Sequence, residues 1–123
     1  MNLLIVMAGG ALGALARYGL GGIIGARWEH GFPLGTFVIN IVGSFLLGLI
    51  NVLVLERFVL THEWRIGLGV GFLGAFTTFS TFSYETLVLM EEGSYGLACV
   101  YVSSSILVGL LAALCGMYIA RIV

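Results

Sequence analysis

Apolar residues fill four long stretches of the chain, Leu3 to Gly25, Leu34 to Leu55, Ile66 to Met90 and Tyr95 to Ala120, and charged residues gather in the gaps between them. Each stretch supplies the roughly 20 residues that a helix needs to cross about 30 Å of hydrocarbon. The gaps hold Arg27 and Glu29, then Glu56, Arg57, Glu63 and Arg65, then Glu91 and Glu92. The pattern predicts an all-α membrane protein of four transmembrane helices in a single domain over residues 1–123, with no soluble domain left over. The first apolar stretch has no basic run ahead of it, so it is read as a retained span and not as a removable leader.

Polar and small residues inside the spans carry the next layer of information, because lipid offers a polar group no hydrogen-bond partner. The first span places Gly9, Gly13, Arg17, Gly21 and Gly25 at successive i, i+4 positions on one slowly drifting face. Small residues at this spacing let another helix approach closely, so packing is the plain reading of the glycines. Arg17 reads either as an end anchor or as a vestibule residue. On the second span Thr36, Asn40, Gly43, Ser44 and Asn51 share a face. The Asn40 amide has two N–H donors and no net charge, which suits an anion that must shed water without being trapped; an interhelical hydrogen bond is the equal alternative. The fourth span adds Tyr101, Ser104, Ser105 and Gly109 on one side, and Glu85 is the one acid deep in an apolar stretch, whether protonated, paired or hydrogen-bonded.

The third span departs from a regular helix. Gly67, Gly69, Gly71 and Gly74 are followed by Thr77, Thr78, Ser80, Thr81 and Ser83, residues that are weak in helices or compete with the backbone for hydrogen bonds. A break near Gly74 to Thr78 is expected, and freed carbonyls at membrane depth can coordinate a cation. Beyond the break, Thr77, Ser80, Thr81 and Tyr84 are expected on one helical face, with Phe79 and Phe82 projecting together from another. Ring edges carry partial positive charge and can hold an anion without a formal cation, although two Phe in a membrane helix are more often packing residues.

Composition narrows the function classes. With 60% hydrophobic and 9% charged residues a water-soluble fold is excluded, and a net charge of −1 with no Lys leaves no basic surface for nucleic acid. Cys99 and Cys115 lie 16 residues apart in the fourth span, about 24 Å along a helix, too far to pair within one chain. Arg57, Arg65 and Arg121 fall on the N-terminal side and Arg27 with Arg17 on the other, a small bias under the positive-inside rule. The bias reads either as a weakly determined N-inside protein or as dual topology, and the little room that four short helices enclose favours the second, an antiparallel homodimer.

The run Gly74-Ala75-Phe76-Thr77-Thr78-Phe79-Ser80-Thr81-Phe82-Ser83, the Gly13 to Arg17 segment and the Pro33-Leu34-Gly35-Thr36 stretch leading to Asn40 together resemble the bacterial fluoride channel family, Fluc or CrcB, over essentially the complete chain. The resemblance implies a multi-pass protein of the bacterial inner membrane, an antiparallel homodimer with two fluoride pores, and passive, fluoride-selective export from the cytoplasm. It implies that Asn40 is the pore amide and that Phe79 and Phe82 present their edges to fluoride. Gly74 and Thr77 would offer backbone carbonyls to a structural Na⁺ at the dimer centre. Thr36, Ser80, Thr81, Tyr101, Ser105 and Glu85 are similar to the polar residues along the family's pathway, and Arg17 resembles its vestibule or structural Arg. Ala75 and Phe76 depart from the family's Gly-Gly-Leu-Thr-Thr-Phe pattern.

Two other classes compete. A small proton-coupled exporter of four spans needs an acid in its first helix, where this chain has Arg17 instead. A non-transporting assembly subunit would account for the glycine faces alone. An enzyme is not expected, since no nucleophile with a base, metal-ligand cluster or phosphate loop stands out, and His30 and His62 fall in expected loops.

Overall fold

The computed structural model describes residues 1–123. Its helices form four segments long and apolar enough to cross a membrane: Asn2–Arg27, Leu34–Leu55, His62–Glu91 and Tyr95–Ile122. The protein is an all-helical, multi-pass membrane protein, as the apolar pattern predicts.

Glycine decides which spans meet. A Cβ on Gly13 would fall on the Phe72 carbonyl oxygen, and one on Gly9 would fall on the Gly67 carbonyl oxygen, so the first span lies directly on the backbone of the third. Gly48 meets the Ala113 carbonyl and Gly116 the Phe45 carbonyl in the same way, closing the second span onto the fourth. A Cβ on Gly21 would meet only the Ile39 side chain and one on Gly25 nothing, while a Cβ on Gly35 would stand 3.4 Å from the Gly21 carbonyl oxygen, so the stripe packs on the third span over its first half and touches the second span at Gly21.

The third span is built in pieces. After a helical turn at His62–Trp64, residues Arg65–Leu73 form a π-helix, Gly74–Phe76 return to α geometry, and Phe79–Glu91 form a second helix. Between the two halves Thr77 (φ −78°, ψ 155°) and Thr78 (φ −148°, ψ 119°) are extended. The break therefore sits at Thr77 and Thr78, while Gly74 is itself helical (φ −62°, ψ −36°). His62 belongs to the start of this span and not to a loop. The span ends at Gly93, whose φ of +81° a side chain would strain; Ser94 N–H bonds to the Leu89 carbonyl and Gly93 N–H to the Met90 carbonyl, a Schellman ending.

Ile39, Ile50, Val54, Leu73 and Phe76 form one core between the second and third spans. Leu89, Ala98 and Tyr101 form another beneath Phe32, Phe37 and Phe82. Only 17 of 123 residues are buried within the chain, so nearly all of its apolar surface is left for lipid or for a second copy.

Candidate functional site

The polar face of the second span turns onto the third, meeting it at the break and on either side of it. The Asn40 amide pairs with Thr78 through both of its ends: Nδ2 donates to the Thr78 carbonyl at 3.1 Å, and Thr78 N–H donates to Oδ1 at 2.9 Å. One side chain thus does what a neighbouring strand would do for an extended residue, and the broken backbone keeps its hydrogen bonds at membrane depth. Gly43 makes room beside it, since a Cβ there would strike the Thr77 methyl. Farther along the same face Thr36 Oγ1 donates to Glu85 Oε1 at 2.5 Å. Toward the C-terminal end of the second span Arg65 Nε donates to Asn51 Oδ1 at 3.1 Å.

Thr78 also caps the helix that follows, because its hydroxyl accepts from Thr81 N–H at 3.2 Å and donates to Thr81 Oγ1 at 3.1 Å. It is the pivot of the break, and the residue roles read from the sequence did not include it. A Thr immediately before a resumed helix is an N-cap signal that could have found it. Replacing Thr78 by Ala removes the cap while leaving the Asn40 pairing, which uses only backbone atoms of residue 78. A loss of about 1 kcal/mol is expected, read as a lower melting temperature in detergent; an unchanged melt would show that the cap contributes nothing.

Two concavities flank the break. The larger, of ≈ 1010 Å³, is lined by Arg17, Thr36, Thr78, Thr81 and Glu85 together with the glycines at the end of the first span. The smaller, of ≈ 340 Å³, is lined by Asn40, Ser44, Thr78, Phe79, Phe82 and Ser105. Phe79 is 80% exposed and its ring lies 6.0 Å from that of Phe82, so the pair projects together as the sequence pattern predicts. Phe82 in turn lies 5.0 Å from the Tyr101 ring, which meets Phe32 edge-on at 5.3 Å. The aromatic row fixes Phe82 from behind and leaves Phe79 free on the groove side.

The structure brings together most of the site residues expected from sequence, in two groups. Arg17, Thr36, Thr81 and Glu85 face the larger cavity, and Asn40, Phe79, Phe82 and Ser105 the smaller. Tyr101 is fully buried behind the second group. Ser80 lines neither cavity; it is exposed, with its hydroxyl 3.4 Å from Thr78 Oγ1. Thr77 does not share a helical face with Ser80, Thr81 and Tyr84, because it precedes the break, and its hydroxyl bonds back to the Leu73 carbonyl at 2.8 Å.

Three buried side-chain polar atoms have no partner within the chain: Arg17 Nε, Tyr101 Oη and Ser105 Oγ. Buried polar groups are nearly always satisfied, so these atoms stand out among the polar groups of the spans. The carbonyls of Gly74 and Thr77 stand out for a different reason. Their usual helical donors are diverted, Thr78 N–H to Asn40 and Thr81 N–H to the Thr78 hydroxyl, and Gly74 is exposed on the surface.

A family model described as CrcB-like protein, Camphor Resistance (CrcB), matches residues 4–117. The chain belongs to this family. Among CrcB-like relatives, one from Acidobacterium capsulatum is 48% identical over 121 residues, covering 98% of this chain and 97% of the relative. Another from Geobacter metallireducens is 51% identical over 112 residues, 91% of this chain and 90% of its own length. A third from Pyrococcus abyssi is 46% identical over 124 residues, with 98% and 99% covered. Each of the three is named a fluoride-specific ion channel, FluC.

Proposed function

We propose that this protein is a fluoride-selective ion channel that lets fluoride leave the cytoplasm passively across the inner membrane. It is a channel and not an enzyme, in keeping with the FluC relatives. The single observation that carries the reading is the groove at the break. There one Asn40 N–H is spent on Thr78 and the other is spare, beside the Phe79 and Phe82 rings and the unpartnered Ser105 hydroxyl. A small, strongly hydrated anion needs several weak donors along its path, and a fixed cation at the narrow part would hold it too tightly for fast passage. Amide, hydroxyl and ring edge meet both conditions. Arg17 lies back in the wide cavity, where it can draw anions in without trapping them at the constriction.

The groove is open along one side, which supports a functional unit of two copies in antiparallel, dual-topology arrangement. Each of its two pores would take walls from both chains. The released carbonyls of Gly74 and Thr77 fit a structural sodium ion at the dimer centre, shared by both copies, because hard cations take carbonyl oxygens and non-helical backbone at membrane depth offers them. When bound, the ion would supply a fixed positive charge that satisfies the carbonyl dipoles. The departures at Ala75 and Phe76 are accommodated in ordinary helical backbone, which supports the same reading.

Purified protein in liposomes is expected to release fluoride rapidly and chloride hardly at all, driven by the gradient alone. Well-folded protein that passes no fluoride would sink the channel reading. Phe79→Ile and Phe82→Ile keep apolar bulk but remove the ring edges, so each should abolish fluoride release while the oligomer persists on gel filtration. Normal flux in both variants would remove the ring-edge role.

A further inference from the structure

The groove at the break does not end beside Asn40. Ser44 and Leu47 of its wall also line a second depression of ≈ 410 Å³, which follows the seam between the second and fourth spans past Gly48 and Asn51 to Glu56. The seam is tight because Gly48 and Gly116 bring the two backbones together, and Asn51 supplies a polar step whose Nδ2 donates to the Leu47 carbonyl at 3.0 Å. Where the depression reaches the N-terminal end, a compact charge network closes it. Arg121 grips the Glu56 carboxylate with both ends of its guanidinium, Nη2 to Oε1 at 2.7 Å and Nε to Oε2 at 2.8 Å. Arg57 Nη1 donates to the Arg121 carbonyl at 2.9 Å, holding the end of the fourth span against the loop.

Glu56 is the one carboxylate that lines any part of this route. Arg121 holds its carboxyl below the usual carboxylate range, so it is ionised across neutral pH and its charge is cancelled by the guanidinium and not by a proton. An unpaired carboxylate there would repel an arriving anion over a distance set by salt.

We propose that the Glu56–Arg121 pair is the mouth of the anion path at the N-terminal end of each protomer, with Arg121 a positioning residue that masks Glu56 and so sets the rate at which fluoride crosses that mouth. The proposal rests on reading the groove at the break as the fluoride path. In an antiparallel pair one such mouth opens on each face of the membrane.

The test compares wild type, Arg121→Gln, Arg121→Lys and the double variant Glu56→Gln with Arg121→Gln, by fluoride efflux from liposomes. Efflux is measured at about 10 mM and at about 1 M of an impermeant salt, where screening lengths are about 30 Å and 3 Å. Arg121→Gln is expected to slow efflux about threefold at low salt, the effect of one unmasked charge several ångströms from the path in a watery mouth. The deficit should vanish at high salt. Arg121→Lys should stay near wild type, and the double variant should recover most of the loss, which a merely structural lesion at Arg121 would not allow. Arg121→Gln equal to a conducting wild type at low salt, or a deficit that ignores both salt and the second substitution, overturns the mouth alone. A wild type that releases no fluoride overturns the channel reading with it.

Discussion

Replacing Asn40 by Ala should unseat the break and silence the channel together. The substitution removes both hydrogen bonds to Thr78 and leaves its N–H and carbonyl unsatisfied inside the membrane-spanning part of the protein. A stranded buried polar group costs about 1 to 3 kcal/mol, so the expected stability loss is about 2 kcal/mol or more, read as a lower melting temperature in detergent. Flux should fall at least about tenfold, which needs only about 1.4 kcal/mol on the barrier to conduction. Asn40→Asp makes a sharper comparison. It keeps an acceptor for Thr78 N–H but places a carboxylate oxygen against the Thr78 carbonyl and a negative charge on the proposed anion route. Aspartate should therefore fail in transport at least as badly as alanine. Wild-type melting and flux in Asn40→Ala would show that the break stands without its side-chain partner.

The other large effect is expected at Gly13. An alanine there puts its methyl on the Phe72 carbonyl oxygen, with the carbonyl carbon at 2.9 Å and Cα at 3.0 Å, and backbone cannot swing away as a side chain can. The first and third spans must separate, at about 1 to 3 kcal/mol or more for overpacking. Gly19→Ala on the same helix meets nothing within 4 Å and should be neutral, or slightly stabilising through helix propensity. Equal losses at both positions would mean that the cost comes from glycine's place in the helix and not from contact with the third span.

The contrast between Gly13 and Gly19 marks how far the sequence could be read. Span number and approximate ends follow from hydrophobic run length, because lipid thickness imposes them whatever the partners. The stripe Thr36, Asn40, Gly43, Ser44 and Asn51 was also legible, since a polar face on a membrane helix must find other polar groups; four of its members meet the third span, while the Ser44 hydroxyl bonds back to the Asn40 carbonyl of its own helix. Which glycines touch depends on where two helices cross, and periodicity does not give that. The π-helical stretch Arg65–Leu73 was invisible for a related reason. Its hydrogen-bond register is a backbone choice with no side-chain signature of its own. Residue types placed Phe79, Phe82, Asn40 and Ser105 among the candidates, and only folding put them around one groove. Thr78 shows the opposite failure. Its hydroxyl was counted with its neighbours, while its importance lies in a backbone amide and carbonyl that every residue possesses.

The pairing of Asn40 with Thr78 also has a consequence for assembly in the membrane. On its own in lipid, the lower half of the third span would have no acceptor for Thr78 N–H other than the Gly74 carbonyl, and taking that bond would restore a continuous helix. The kink is thus prepared within the third span by the Thr78 cap and completed by the second span, whose Asn40 takes the N–H and carbonyl that the cap leaves over. A nascent chain acquires its ion-handling geometry only when these two neighbours have met, so the step that completes the fold is also the step that creates the site.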